Sequence, residues 1–154
     1  MDLGSLLKPE AVKIIGSLTS KKRLMQEISE IAEQVYGIDA DRAMAALQDR
    51  ESIGPTGVGD GVALPHAKFG LDCGVVGVFV RLERPLDFDS IDRQPVDLVF
   101  ALFAPEECGV THLKALAVVS RAMRDPAVRS KLRANDNPVT LHAILSGLEQ
   151  TKAA

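Results

Sequence analysis

The stretch VDLVFALF at residues 96–103 decides the fold, because its side chains are apolar at nearly every position rather than at every second one. Residues 75–82, which read VVGVFVRL, show the same pattern. Continuously apolar strands are typical of a sheet that is covered on both faces, whereas a sheet with one solvated face shows alternation. The sequence therefore predicts an α/β protein in which helices cover both sides of the sheet.

Helices are predicted on either side of these strands in the sequence. Residues 20–36 place apolar side chains at helical spacing, and Thr19 or Ser20 can cap the helix start. Asp39 can cap a second helix that runs to about Arg50. Three further helices are predicted at residues 111–124, from Asp125-Pro126 onward, and from Asn137-Pro138 to about Leu148, with each proline at the first helical position.

Shorter segments complete the prediction. Residues 62–64 read as a strand, and residues 11–18 favour a strand over a helix end because several are β-branched. Four glycines and a proline within residues 54–61 favour turns. Residues 151–154 have no apolar anchor and are expected to fray, which leaves one domain over residues 1–150.

Composition excludes several classes of function. The chain has 18 lysines and arginines against 21 acidic residues, a formal charge of −3, and no basic stripe, which disfavours nucleic-acid binding. Its apolar stretches, residues 73–80 and 98–104, are too short to span a bilayer, and residues 1–4 do not begin a signal peptide. We expect a cytoplasmic protein without membrane insertion. Cys73 and Cys108 lack metal-ligand spacing and receive no role.

Two of the three histidines have a setting that suits chemistry. His66 follows the strand-ending Pro65 beside the glycine-rich loop, at the kind of strand end where open α/β sheets present reactive groups. His112 follows Thr111, a potential N-cap, so its ring should lie near helix amides that attract an anion and disfavour imidazolium. His142 lies within the last helix and is interpreted as a surface or packing residue.

The glycine-rich loop does not match a nucleotide-binding motif. Gly59 is followed by Asp60-Gly61 rather than by the lysine and hydroxyl residue of a Walker loop, and the run enters a strand rather than a helix. Serine-hydrolase and zinc-protease motifs are also missing. A plain turn explains the glycines equally well, and a zinc site built from the three histidines stays open as an alternative. We assign neither a cofactor nor a metal.

A neutral histidine at the edge of a sheet can act as a nucleophile toward phosphorus. Transfer needs positive charge or amide donors around the phosphoryl oxygens. The sequence offers Arg50, the amides at residues 111–112, and a loop that contains Thr56, Gly57 and Gly59.

Two motif regions add a family resemblance. Residues 50–59, RESIGxTGVG, precede residues 61–66, GVALPH. These resemble the active-site signature of type-2 enzyme IIA domains of the bacterial phosphotransferase system. Residues 91–102, IDxQPVDLVFAL, and residues 111–113, THL, resemble the nitrogen-regulatory branch of that family. The match extends over residues 21–148.

The resemblance implies a three-layer α/β/α sandwich around a mixed sheet. It implies that His66 carries a phosphoryl group on Nε2 and that Arg50 and His112 line the phosphate site. Two positions depart from the family pattern: Pro55 replaces a frequent serine, and Ala67 replaces the glycine that commonly follows the active histidine. Both departures lie beside the site, and neither removes a group that transfers phosphate.

The function that follows from the resemblance is regulatory phosphotransfer. The protein would take a phosphoryl group from a phosphorylated HPr-like carrier, and its two states would bind different target proteins, which the family suggests act in potassium and nitrogen regulation. One alternative is a fructose- or mannitol-type sugar-transport IIA that passes phosphate to a IIB component. A second alternative is a binding module of the same fold that does not transfer phosphate.

Overall fold

The computed structural model describes residues 2–70, 74–107 and 109–147. A 3-10 turn at Pro9–Ala11 follows the first helix. The helices are α1 (Leu3–Leu6), α2 (Lys21–Tyr36), α3 (Ala40–Ile53), α4 (Thr111–Arg124), α5 (Pro126–Arg133) and α6 (Pro138–Ser146), and the strands are β1 (Val12–Ile15), β2 (Gly57–Gly59), β3 (Val62–Ala63), β4 (His66–Phe69), β5 (Val76–Leu86) and β6 (Val96–Pro105).

The strands form one mixed sheet in the order β1-β5-β6-β3-β2, with β4 also paired to β6. The two long apolar strands, β5 and β6, pair antiparallel at the centre of the sheet. Strand β1 is parallel to β5, and both β3 and β4 are parallel to β6. The strand predicted within residues 11–18 is therefore β1.

Strands β3 and β4 run along the same edge of β6 and keep one register. Val62 lies opposite Leu98, and His66 lies opposite Leu102. The carbonyl of Pro65 accepts a hydrogen bond from the amide of Leu102 at 2.9 Å. The predicted strand over residues 62–64 ends at Ala63, before Pro65, but pairing with β6 resumes at His66, which is the first residue of β4 and not a terminus beyond the sheet.

The predicted helix caps are largely confirmed. The side chains of Ser20 and Asp39 accept hydrogen bonds from the amides of Arg23 and Arg42. Helix α2 ends at Gly37, whose φ of 72° is left-handed and suits a residue without Cβ. Asp125 and Asn137 cap the two proline-initiated helices in the same way, through the amides of Ala127 and Val139.

Helices cover both faces of the sheet, as predicted. Every residue in 98–104 is buried, and because neighbouring side chains of a strand point to opposite faces, both faces must be covered. Helix α2 packs against β5 and α3 against β4, while α6 packs against β1 and α4 against β6. Phe79 and Phe100 contact each other across the two central strands, with ring centroids 6.1 Å apart.

The structure differs from the prediction at several element ends. Helix α3 continues past Arg50 to Ile53, because the break comes only at Gly54-Pro55. Part of the predicted glycine turn forms β2, which pairs antiparallel with β3. Thr111 is not an N-cap: it is the first residue of α4, and the preceding Val110 offers no side-chain acceptor. Helix α1 was not predicted.

Some predictions fall on residues outside the described ranges, namely those for Cys73, Cys108, Leu148 and residues 151–154. In the part of the chain that the structure describes, no helix has the length and apolar character needed to cross a bilayer.

Candidate active site

Arg50, His66 and His112 meet at a cleft between α3, β4 and α4. Arg50 lies in the last turn of α3, His66 is the first residue of β4, and His112 is the second residue of α4. All three line a cleft of about 680 Å³. Residues that lie far apart in the sequence are thus brought to one place by the edge position of β4 between two helices.

The two ring nitrogens of His66 have different partners. Nδ1 lies 2.8 Å from the carbonyl oxygen of Leu64, and Nε2 lies 3.2 Å from Nε of Arg50. A carbonyl only accepts hydrogen bonds and an arginine nitrogen only donates them, so Nδ1 carries the proton and Nε2 has the lone pair. This assigns the tautomer from the chemistry of the partners.

Arg50 is held in place by the chain that follows its helix. Its Nη1 donates to the carbonyl oxygen of Gly54 at 2.9 Å, which satisfies one of the free carbonyls at the end of α3. Nε of the same guanidinium lies beside the ring of His66. The arrangement places a permanent positive charge next to Nε2.

His112 is a buried neighbour of His66. The ring centroids are 5.4 Å apart, and His112 is only 4% exposed. Burial, together with the nearby His66 and Lys68, lowers the pKa of His112 from 6.5 to about 4. Its Nδ1 has no hydrogen-bond partner among the described residues. His112 is therefore neutral at physiological pH.

His66 is half-buried, and its pKa is also lowered from 6.5. Burial is the main cause, and the charges of Arg50 and Lys68 act in the same direction. The hydrogen bond to the Leu64 carbonyl and the charge of Glu51 oppose the shift. Lowering the pKa keeps the imidazole neutral near pH 7, and a neutral imidazole with its lone pair on Nε2 is a nucleophile.

The loop residues predicted as phosphate donors lie outside this cleft. Both the amide and the hydroxyl of Thr56 donate to the carboxylate of Glu51. Gly57 packs against Ser90, at a distance that leaves no space for a Cβ atom, and Gly59 packs beside Asp92. None of the three lines the cleft that contains His66.

Of the other residues that the sequence singled out, one lines the cleft and the others lie elsewhere. Ala67 lines the cleft, whereas Pro55 is exposed and does not. His142 lies elsewhere, with Nε2 3.0 Å from the carbonyl oxygen of Leu7, in line with a packing role. Among residues 2–70, 74–107 and 109–147, no three histidine, cysteine or acidic side chains are grouped to hold a metal ion.

Two charged residues at the site were missed in the sequence. Lys68 lines the cleft beside His66 and acts on the pKa of both histidines. Its position two residues after His66 on one strand was the available signal, because such residues share a face. Glu51 follows Arg50 directly within the RESIGxTGVG motif, but nothing in that motif indicates that its carboxylate contacts Thr56 instead of solvent.

Comparison with known proteins gives a consistent family. The family model described as "Phosphoenolpyruvate-dependent sugar phosphotransferase system, EIIA 2" matches residues 5–147. A nitrogen regulatory protein of Bradyrhizobium diazoefficiens is 42% identical over 146 residues, which cover 95% of both chains. A nitrogen regulatory protein of Escherichia coli K12 is 39% identical over 152 residues, covering 98% of this chain and 93% of that protein.

A solved structure agrees with both comparisons. The crystal structure of nitrogen regulatory protein IIA-Ntr from Neisseria meningitidis superposes with a TM-score of 0.84 at 30% identity, covering 93% of this chain and 98% of that one. The fold, the extent of the family match and the sequence identity all lead to the same assignment. The chain belongs to the EIIA type-2 family of the phosphoenolpyruvate-dependent sugar phosphotransferase system, and it is similar to the nitrogen regulatory proteins of that family.

Proposed function

We propose that this protein is a cytosolic regulatory phosphocarrier. It accepts a phosphoryl group from a phosphorylated HPr-like protein onto Nε2 of His66, and its two states bind different target proteins. Nitrogen and potassium regulation are the processes in which we place those targets. The similarity to proteins named nitrogen regulatory protein supports this choice within the family.

The observation that carries the proposal is the hydrogen bonding on both sides of the His66 ring. The Leu64 carbonyl fixes the proton on Nδ1, which leaves Nε2 as the nucleophilic atom. Arg50 donates to that same atom, so its positive charge lies next to the position where the phosphoryl oxygens would carry negative charge during transfer. A histidine that merely packed at this position would need neither a fixed tautomer nor a guanidinium at its lone pair.

The transfer step follows from this geometry. The lone pair of Nε2 forms a bond to phosphorus while the bond between phosphorus and the donor breaks, and the donor keeps that electron pair. The proton on Nδ1 stays on the ring, where its hydrogen bond to the Leu64 carbonyl stabilises the positive charge that the ring acquires. Arg50 turns from Nε2 toward the phosphoryl oxygens, and neutral His112 offers a further hydrogen-bond donor.

The surface around the cleft suits docking of protein partners. Ile53 is 83% exposed and Leu113 is 63% exposed, and both line the cleft on opposite sides of His66, on α3 and α4. Apolar side chains beside a charged centre are typical of a protein interface. A phosphoryl group adds up to about two negative charges at its centre, so a partner that covers His66 distinguishes the two states by charge and desolvation.

The experiment is phosphorylation by a phosphorylated HPr-type carrier, followed by mass analysis. Wild type should gain one acid-labile phosphoryl group and His66→Ala should gain none. His142→Ala is the matched control, since the His142 ring lies away from the cleft with Nε2 3.0 Å from the Leu7 carbonyl oxygen, and it should behave as wild type. A phosphoryl group on His66→Ala would disprove the assignment.

The sugar-transport alternative is favoured by the description of the family model, which names sugar phosphotransfer. Adding a IIB component to the phosphorylated protein separates the two functions. Rapid loss of the phosphoryl group to a IIB protein would replace our proposal with sugar transport. A wild-type protein that accepts no phosphoryl group would leave only the binding module.

A further inference from the structure

Glu51 is an almost buried carboxylate that contacts the segment after α3. Its side chain is only 9% exposed. One carboxylate oxygen accepts the amide of Thr56 at 2.9 Å, and the other accepts the Thr56 hydroxyl at 2.7 Å. Nζ of Lys21 lies 2.7 Å from Oε1 of the same carboxylate. Both carboxylate oxygens of Glu51 therefore have hydrogen-bond partners.

The location of Glu51 is unfavourable on local grounds. It lies in the last turn of α3, where the negative end of the helix dipole repels an anion. It is also largely removed from water, which costs free energy unless the charge is paired. Lys21 and Thr56 offset these costs. An anion that is placed at a helix C-terminus and away from water, and is stabilised there by specific partners, indicates that the position serves a function.

A short series of contacts joins Glu51 to the ring of His66. Glu51 holds Thr56, the carbonyl of Thr56 accepts the amide of Leu64 at 2.9 Å, and the carbonyl of Leu64 lies 2.8 Å from Nδ1 of His66. Arg50, the residue before Glu51, holds Gly54 in the same segment and contacts the other ring nitrogen. Two consecutive residues of one helix turn are thus linked by hydrogen bonds to the two ring nitrogens of the imidazole.

We propose that Glu51 is a positioning residue for phosphoryl transfer, which fixes Thr56 so that the Leu64 carbonyl keeps the proton on Nδ1 of His66; this inference rests on the proposed function of His66. Glu51 also acts through its charge, which raises the pKa of His66 against the effect of burial. Glu51 does not contact the phosphoryl group, since it lies outside the cleft.

Lys21 extends this arrangement to a second helix. It is the first residue of α2, its ammonium group pairs with Glu51, and it lies 4.6 Å from the ring centroid of Phe88. Removing Lys21 should lower the stability of the fold, because a nearly buried carboxylate loses its charge partner, but the two hydrogen bonds between Glu51 and Thr56 do not involve the lysine. Lys21→Met should therefore have a smaller effect than any loss of the carboxylate.

The test compares Glu51→Ala, Glu51→Gln and Thr56→Val with Thr56→Ser, which retains the hydroxyl. Glu30→Gln is the control, because Glu30 is an exposed residue on α2. The first measurement is the rate of transfer from the phosphorylated HPr-type carrier. The second is the tautomer and pKa of His66 in the unphosphorylated protein, taken from ring-nitrogen NMR shifts during a pH titration. Thermal unfolding identifies any variant that does not fold.

We expect Glu51→Ala to transfer about tenfold more slowly, the effect of losing a hydrogen bond to a charged group. Its His66 ring should show a larger population of the tautomer with the proton on Nε2 than wild type does, although Arg50 still opposes that tautomer. Glu51→Gln, which has nearly the same shape, should lower the pKa of His66 because the negative charge is gone. Thr56→Val should resemble Glu51→Ala in direction, while Thr56→Ser and Glu30→Gln should match wild type.

Three results would overturn the inference in distinguishable ways. If wild type and the folded Glu51 variants accept phosphate at one rate and share one tautomer, the positioning role of Glu51 is wrong and the proposed function of His66 stands. If wild type accepts no phosphoryl group at all, the proposed function falls and the inference falls with it. A slowed Glu51→Ala with an unchanged tautomer and pKa would reduce Glu51 to a structural residue.

Discussion

Nε of Arg50 donates a hydrogen bond to Nε2 of His66 across 3.2 Å. In the resting protein the guanidinium therefore covers the one ring nitrogen that has a lone pair. Arg50 cannot keep this contact once Nε2 is bonded to phosphorus. The same donor then becomes available to a phosphoryl oxygen, so a single arginine can stabilise both states of the site.

Arg50→Ala should slow phosphoryl transfer by roughly a hundredfold, at the lower end of the cost of removing a donor from a preorganised site, about 2.7 kcal/mol. Arg50→Lys should have an intermediate rate, because an ammonium group retains the charge and loses the fork that reaches both Gly54 and His66. Rapid-mixing measurements of transfer give both rates. Arg84→Ala, at an exposed position of β5, is the control. Equal rates in Arg50→Ala and wild type would contradict the role.

His112→Ala should retain transfer at a rate reduced by about tenfold, the size of one net neutral hydrogen bond, since a neutral donor beside the site is lost while His66 and Arg50 remain. His112→Gln should recover part of that rate, because its amide can donate as the neutral imidazole does. The same transfer assay is the measurement. Loss of all transfer in a folded His112→Ala protein would show that His112 itself takes part in the bond change.

The buried His112 should make the protein less stable in mild acid. Its pKa is about 4 in the folded state and 6.5 for the unperturbed group, so between these values the unfolded chain binds more protons. The free energy of unfolding should therefore fall as the pH drops from 6.5 toward 4 and show no further contribution from His112 below that. Urea denaturation across this range is the measurement. In His112→Asn the decline should be shallower, and an identical decline would refute the assignment.

Gly61→Ala should destabilise the fold by about 1–3 kcal/mol. Gly61 has a φ of 79°, and a Cβ atom there would meet the guanidinium of Arg133 and, at 2.8 Å, the carboxylate of Asp97. Those two side chains form a bidentate ion pair that fixes the turn between β2 and β3. Gly16→Ala is the control, because no atom lies within 4 Å of its Cβ position. Chemical denaturation should leave Gly16→Ala within experimental error of wild type.

Phosphorylation should change the protein only around the cleft. The proposed phosphoryl group would lie on a rigid strand of the central sheet, and we see no hinge in the described ranges that would spread its effect. Amide NMR spectra of the two states should differ near His66, near Arg50 and Gly54, and at residues 111–112. Large shifts in α2 or α6 would require a global conformational change instead.

The sequence was most informative where a local rule decides the structure. Four helices begin at the predicted N-cap residue, because a side-chain oxygen accepts from free helix amides through local contacts alone. These residues are Ser20, Asp39, Asp125 and Asn137. Strand β4 was not predicted, since pairing of His66 with β6 depends on a partner distant in the sequence. Thr111 failed as a cap for a related reason: the preceding turn sets the start of α4 at Thr111 itself.

The sequence could predict which residues form the candidate site, but it could not predict how the surrounding loop is oriented. His66, Arg50 and His112 do meet, whereas Thr56 is turned toward Glu51 and away from the cleft. No pattern in the sequence indicates that the acidic residue after Arg50 is nearly buried. The Glu51 carboxylate is nearly buried beside Lys21, whose ammonium group pairs with it from another helix. Tertiary contacts of this kind decide which loop amides are free.

The hydrogen bond between Leu64 and His66 has a consequence for how this site tolerates mutation. The acceptor is a main-chain oxygen, so every amino acid at position 64 would supply it. The tautomer of His66 therefore depends on the backbone conformation at residue 64 and not on the side chain there. Substitutions at position 64 other than proline therefore act on packing, because Leu64 is buried and only proline would remove the amide that donates to the Thr56 carbonyl. Changing the side chain at position 64 therefore leaves the acceptor for the Nδ1 proton of His66 in place.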